Sequence, residues 1–231
     1  ASLIVATQGK ATLDDITESD VPAIRDAHLL LAKYNSWQPG VFALSGWDLT
    51  GSLTVPAADV HHLISSGDTR WIERGAHDLL DVAPEASTSA SGMPRARSLY
   101  GSLARQQADP ESFLAGLRDI LRIRSENEIA VASQVDIPQV GHPSMLVMVH
   151  RLDGGDRRRE DAPLQITVLN FSGESIEGTV RSEWLVPQST AVDAATGDVV
   201  GRVDELQSFA LELGPYAGLF LRLQAPEPTE G

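Results

Sequence analysis

The sequence predicts a two-part chain, α/β in its first half and all-β in its second. Three observations carry this. The hydrophobic period changes from about 3.6 residues to 2 near residue 127. A short apolar run, Val41-Phe42-Ala43-Leu44, has the length of a strand buried on both faces. Turn chemistry then recurs at short intervals in the second half, in Asp153-Gly154-Gly155, Ser172-Gly173, Thr196-Gly197-Asp198 and Gly214-Pro215. Residues 1–126 read as helical and loop-rich, residues 127–223 as an antiparallel β-sandwich, and residues 224–231, rich in Pro and Glu, as a disordered tail.

The first element begins after an apolar opening whose wording, ASLIVATQGKA, looks cut from the middle of something. Thr17 or Ser19 can cap a helix, with Asp20 in the first turn and Pro22 near its start. Ile24, Ala27, His28, Leu31 and Ala32 follow at helical spacing, and Leu29 and Leu30 widen the stripe enough for packing on two sides. His28 sits on that apolar face and reads first as a satisfied core histidine. Pro39-Gly40 ends the segment. Thr54 to Gly67 reads as a short helix after Pro56, with Val60, Leu63 and Ile64 inward.

Residues 68–108 are the least periodic part. Irregular segments of this length are functional or mobile loops. Arg70, Trp71, Glu73, Arg74, His77 and Asp78 precede a small-residue run, Ala86 to Gly92, expected to be a flexible loop held at its ends by Trp71 and Tyr100. Asp109-Pro110 is a helix start, and Phe113, Leu114, Leu117, Ile120 and Leu121 form its buried stripe, with Arg118, Arg122 and Arg124 toward the carboxyl end.

Strands are then expected at Ile129–Ile137, Met145–Val149, Leu164–Phe171, Ser175–Trp184, Thr190–Ala194, Val199–Val203, Phe209–Leu213 and Gly218–Leu223. Leu164, Ile166 and Val168 alternate with Thr167 and Leu169, and Leu219, Leu221 and Leu223 share a face. Arg157-Arg158-Arg159, flanked by Asp156, Glu160 and Asp161, reads as a solvated hairpin tip.

Composition narrows the function. With 231 residues the chain has ample length for a core, and a net charge of −14 argues against nucleic acid and anionic membrane surfaces, which need clustered Lys and Arg. The chain has no cysteine, so disulfides and thiolate metal sites are excluded and a cytoplasmic location fits. No apolar run approaches a membrane span. No metal and no cofactor are expected.

The candidate site is the turn after the apolar run. Ser45-Gly46-Trp47-Asp48 places a ring and a carboxylate just past the carboxyl end of a strand, where α/β folds bind ligands. The plainer reading makes Trp47 core and Asp48 a turn cap. Arg70 and Trp71 join the candidates, against a loop anchor for Trp71 and a partnership of Arg70 with Asp68 or Asp78.

The order helix, buried strand, Gly-aromatic-acid turn, loop, Arg-rich helix and sandwich resembles the end of an α-amylase superfamily protein (glycoside hydrolase family 13). The matching segments are Pro39 to Asp48 and Leu117-Arg118-Asp119-Ile120-Leu121-Arg122-Ile123-Arg124. Within that superfamily the phrases QPGVFALSGWDL, GDTRWIERGAHDL, SGMPRARSLYG and ITVLNFSGE are most similar to trehalose synthases (maltose α-D-glucosyltransferases). The likeness covers about residues 1–223, although Gly46-Trp47-Asp48 departs from the superfamily's Gly-Asp-Glu.

The resemblance implies the last portion of a TIM (β/α)8 barrel followed by a C-terminal sandwich. It also implies a retaining reaction whose Asp nucleophile, Glu acid/base and second Asp lie on barrel strands upstream of residue 1. Asp48, Glu73 and Asp78 are not put in those roles. The expectation is the C-terminal segment of an enzyme interconverting maltose and trehalose, inactive by itself. Its partners would be the missing N-terminal barrel portion and a small sugar, and a homo-oligomer stays open. Trp47, Asp48, Arg70 and Trp71 would meet the substrate by stacking and hydroxyl contacts, while the loops at 46–51 and 68–100 keep water out. A stand-alone carbohydrate-binding or interaction module is the alternative. Phe171, Trp184, Phe209, Tyr216 and Phe220 read mostly as inward, which disfavours it. The barrel reading stands on Val41–Leu44 forming a strand whose neighbours belong to residues outside this chain.

Overall fold

The computed structural model describes residue 5, residues 8–152 and residues 164–225. The chain forms two compact units, one from residues 1–29 and 43–118, the other from residues 30–42 and 119–231. The division therefore runs through both long helices, α1 (Val21–Ser36) and α5 (Phe113–Glu126), and not at residue 126.

The second unit is the antiparallel module that the change of period predicts. Among the described residues nine strands form it: β1 (Ser133–Asp136), β2 (Gln139–Val140), β3 (Met145–Arg151), β4 (Leu164–Asn170), β5 (Ile176–Arg181), β6 (Thr190–Asp193), β7 (Val199–Arg202), β8 (Ser208–Leu213) and β9 (Gly218–Gln224). Six make one sheet in the order β1-β3-β4-β9-β6-β7, and three make another in the order β2-β5-β8. Register follows side-chain alternation: Ile166 lies opposite Val149 and Leu221, and Val168 opposite Val147 and Leu219. Met145, Val147, Ile166, Val168 and Leu221 from the large sheet close one core with Val180, Phe209 and Leu213 from the small one. The expected strand over Ile129–Ile137 is corrected at its start. Glu128 takes φ 51°, Ile129–Val131 forms a 3-10 turn, and pairing begins only at Ser133.

The far face of the large sheet is also buried, which is why neither side of β4 faces solvent. Phe220 is fully buried and its ring meets Trp37, whose indole N–H donates to the Ile120 carbonyl at 3.3 Å. Gly218 has no room for a side chain, since a Cβ there would lie 2.7 Å from Leu169 Cδ2 and 2.9 Å from Lys33 Cδ. Residues 30–42 thus belong with the sheet because they cover it.

The α5 helix starts three residues after Asp109-Pro110. Asp109 instead accepts from the Glu111 N–H, and the Ser112 hydroxyl caps the helix by accepting from the Ala115 N–H. Phe113, Leu117, Ile120 and Ile123 are buried; Leu121, expected in the stripe, is 39% exposed. A 3.6-residue period carries the buried line from 120 to 123 and leaves 121 outside it.

The first unit is irregular. It holds the short helices α2 (Gly46–Thr50), α3 (His61–Ile64) and α4 (Leu103–Gln107), and a 3-10 helix over Thr69–Glu73. Its sheet-like contacts are isolated bridges at Ser52–Ser98, Ala76–Arg95 and Thr88–Pro94. Val60 is fully buried, and it packs with Val55, Ala96, Leu63, Ile64 and Trp71. Ala86–Gly92 is folded back, with Ser89 N–H donating to the Met93 carbonyl and Arg95 N–H to the Ser87 carbonyl. That corrects the expected flexible loop.

The expected strand Val41–Leu44 is also corrected. The tetrapeptide has no regular secondary structure and pairs with no strand, and Val41 is 97% exposed. A buried strand needs backbone partners on its edges, and the described residues before 127 supply none. The carbonyls leading into it are taken by Arg124, whose guanidinium donates to Ser36, Gln38 and Gly40. The strand on which the barrel reading stands is not formed here, and the described residues show no barrel strand. Arg157–Arg159 and the tail beyond Ala225 lie outside the described residues.

Candidate functional site

The segment Ser45-Gly46-Trp47-Asp48-Leu49-Thr50-Gly51 folds as a tightly specified single helical turn in the first unit. Ser45 is its N-cap, accepting from the Asp48 N–H at 3.3 Å, while Asp48 Oδ2 accepts from the Ser45 N–H at 3.2 Å and hydroxyl at 2.7 Å. This is a reciprocal capping box with Asp in the third position. Gly46 must be small, because a Cβ would lie 2.8 Å from His77 Nε2. Gly51 ends the turn at φ 62°, where its missing Cβ leaves room for the Tyr100 ring.

Trp47 and Asp48 then point at different partners. The Trp47 indole N–H donates to the Gly75 carbonyl at 2.7 Å, and its ring meets His77 at 5.2 Å between centroids. Asp48 Oδ1 lies 3.5 Å from His28 Nε2, and His28 Nδ1 lies 3.1 Å from the Tyr100 hydroxyl. With Nε2–H directed at the carboxylate, Nδ1 accepts from the phenol, which satisfies the whole chain. Phe113 packs on both rings, 4.6 Å from His28 and stacked 5.0 Å from Tyr100. Hydrogen bonding from His28 and then from Ser45 holds the Asp48 carboxyl well below its ordinary range, while burial raises the Tyr100 phenol. Asp48 is therefore ionised and about one-third exposed, a fixed acceptor and not an acid.

Arg70 and Trp71 occupy another cluster. The Arg70 guanidinium grips Asp68 with two bonds, Nε–Oδ1 2.8 Å and Nη2–Oδ2 2.9 Å, yet its side chain stays 69% exposed. That grip holds Asp68 down to about 2 and raises Arg70. Trp71 packs with Val55 and Val60 and carries the Arg74 guanidinium 5.0 Å over its ring. Asp78 is a loop organiser. It accepts from the N–H groups of Leu80, Val82 and Ala83, and Arg95 lies 3.3 Å away. These backbone bonds lower its carboxyl.

A groove of about 400 Å³ lies between Leu13–Asp14 and Leu53–Pro56, with Arg95 and Arg97 in its wall. Both arginines are engaged in holding loops, Arg97 on the carbonyls of Leu13 and Ile16, Arg95 on those of Ala83, Pro84 and Ala86. Among the described residues no group of His, Cys, Asp and Glu is arranged to hold a metal ion.

The structure thus brings Trp47 and Asp48 together with His28, His77 and Tyr100, and seats Trp71 on the Val55 cluster. Sequence reasoning missed His77 and Tyr100 as members of this site. Both lie far along the chain from Trp47 in a stretch without period, where no local signal marks them.

No family model matches the chain, and a comparison with curated proteins finds no match. Solved structures do match. An isomaltulose synthase from Erwinia rhapontici NX5 aligns over 87% of this chain and 38% of its own, at 14% identity and a TM-score of 0.56. The trehalulose synthase MutB from Pseudomonas mesoacidophila MX-45 aligns over 86% and 38%, at 16% identity and 0.56. AmyP in complex with maltose aligns over 90% and 36%, at 12% identity and 0.53. The chain spans little more than a third of the length of each. At these identities the likeness is one of fold: the chain folds as the part of these sugar enzymes that it covers.

Proposed function

We propose that this chain is the C-terminal segment of a retaining α-glucosyltransferase of the α-amylase superfamily, with interconversion of maltose and trehalose as its reaction. The observation that carries the reading is that nearly nine-tenths of the chain follows the fold of enzymes named as isomaltulose and trehalulose synthases. AmyP, similar in fold, is seen with maltose. The Trp-Asp turn and the phrases around it supply the finer assignment by resemblance.

On this reading the reacting carboxylates come from other residues of the enzyme, and this chain supplies a preorganised wall. Asp48 is suited to accept from a sugar hydroxyl, because His28 and Ser45 fix its orientation and keep it charged. Trp47 has its N–H occupied by Gly75 and its ring packed on His77, so an exposed part of the ring serves for stacking on a sugar face. Arg70 offers an exposed guanidinium and Trp71 a second ring. A rigid wall matters in such chemistry, since a glucosyl-enzyme that must wait for glucose to turn is lost to any water that enters. The β module stabilises the whole.

The test uses this chain alone and within the longest polypeptide encoded with it. The chain alone, incubated with maltose, is expected to give neither trehalose nor glucose, and turnover would overturn the assignment. The longer polypeptide is expected to give trehalose from maltose. Formation of isomaltulose or trehalulose from sucrose instead would move the assignment to the activities for which two of the similar enzymes are named.

A further inference from the structure

The far face of the large sheet carries a buried polar run that the sugar site does not use. His150 on β3 lies opposite Gln165 on β4, and Gln165 lies opposite Arg222 on β9, so the three occupy one face across neighbouring strands. Thr167 is two residues on from Gln165 on that face. His150 and Thr167 are fully buried and Gln165 is 2% exposed. Both ring nitrogens of His150, the Gln165 Oε1, the Thr167 hydroxyl and the Arg222 Nε are buried and make no hydrogen bond among the described residues. The cover is the segment after α5, since Gln165 Nε2 donates to the Asn127 carbonyl at 2.6 Å and Asn127 is itself buried.

We infer that His150 is an acid-sensitive latch of the β module: a proton taken up by its ring pries the sheet from the segment that covers it. The uncharged ring is the less costly form there, since it leaves one donor and one acceptor unpaired but carries no charge. A charged ring is not tolerated, because an imidazolium needs acceptors and a compensating charge, and among the described residues the site offers it only the neutral Gln165 Oε1 and Thr167 hydroxyl and no facing carboxylate. The groups around it bear this out among the described residues. From β1 the opposing residue is Gln134, and from β4 Gln165 and Thr167. From β9 comes Arg222, a cation, which a second positive charge on the same face would oppose. Arg151, next along β3, turns away and lies over Trp184. In the covering segment Asn127 is flanked by Glu126, which is paired with Arg122 at 3.0 Å, and by Glu128. No charge contributes to the shift of His150; burial alone lowers it, to about 4.

The sign follows. A histidine held at about 4 when folded and free near 6.5 when unfolded binds its proton first in the unfolded chain. Stability is therefore full above pH 6.5 and falls as pH drops toward 4. The unfolding constant of the β module should rise about 50-fold more between pH 7 and pH 4.5 than it does without this group.

The experiment is urea unfolding of the full chain across that range, followed by segment-resolved hydrogen exchange in β3, β4 and β9, for the parent and for His150→Gln and His150→Leu. The expected result is a shallower pH dependence in both variants, by tens of fold in the unfolding constant. Equal slopes in parent and variants would overturn the proposal. Should the variants fail to fold, the ring Cε1–H resonance of His150 in the parent decides it. It should keep its neutral-form shift down to pH 5, and a titration centred near 6.5 in the folded chain would refute the latch.

Discussion

The two units are held together by different means. The β module closes a continuous apolar core between two sheets and covers the outer face of the larger one with Trp37 and its neighbours. Among the described residues the first unit buries Ile24, Ala27, Phe113 and Leu117 on its helices, and around its loops it has a small apolar centre of Val55, Val60 and Ala96. Its other order comes from side chains that reach to distant backbone: Arg97 to Leu13 and Ile16, Arg95 to the 83–86 turn, and Gln106 Nε2 to the Leu49 carbonyl. The difference teaches where each unit is vulnerable. Apolar burial is additive and forgiving of small shifts, whereas a polar brace is lost entirely when one partner goes.

The comparison breaks most visibly at Phe220. This ring is fully buried between sheet and helix, so Phe220→Ala should destabilise the β module by about 3–5 kcal/mol. Denaturant unfolding with segment-resolved hydrogen exchange should show the loss in β4 and β9. An equal loss of protection around Trp47 would mean that the two units unfold as one.

In the first unit the corresponding change is Gly51→Ala. The position takes φ 62°, and a Cβ would lie 2.6 Å from the Tyr100 ring. Strain and displacement of that ring together should cost about 2–3 kcal/mol. Exchange at Thr50–Ser52 and Leu99–Tyr100 should rise, since Tyr100 N–H donates to the Thr50 carbonyl there.

A smaller effect is expected from acid at Asp48. Its folded carboxyl is held below the usual range by His28 and Ser45, so the stabilisation is present above the unfolded value near 4 and is lost as pH falls through the lower folded value. Asp48→Asn removes this dependence, and the site is exposed enough that screening keeps the loss at neutral pH to about 1 kcal/mol. The midpoint of the first unit, measured against pH with and without the substitution, checks both sign and size. A variant as acid-sensitive as the parent would show that Asp48 is not held by His28.

The contrast between the units also explains what was legible in the chain. The strands Met145–Arg151, Leu164–Asn170, Ser208–Leu213 and Gly218–Gln224 follow from alternation and turn residues, because a sheet face writes a period of 2 directly into the sequence. The burial of Thr167 and Leu169 was not legible, since it depends on a helix more than a hundred residues earlier. In the first unit Ser45, Gly46, Asp48 and Gly51 mark a capped turn locally, but the His77 and Tyr100 rings that shape it come from the loop beyond. The Val41–Leu44 run shows the limit of composition. Four apolar residues promise a strand only where neighbouring backbone exists to pair with them, and Val41 stands in solvent here.

The smallest effect on folding belongs to Arg70, and it is the sharpest probe of what the first unit is for. Its guanidinium is exposed and its partner Asp68 lies two residues away on the same short turn, so the pair closes no distant contact. Arg70→Ala should leave the unfolding midpoints of both units where they are. Arg95, tied to three carbonyls of the 83–86 turn, is the opposite case, and Arg95→Ala should loosen that turn measurably in hydrogen exchange. If the proposed function holds and Arg70 meets a sugar hydroxyl, its loss in the longer polypeptide raises KM for maltose while exchange is unchanged everywhere in this chain. If it is there only for Asp68, kinetics and folding are both untouched. Unchanged folding with altered KM is an outcome that no purely structural role of Arg70 produces.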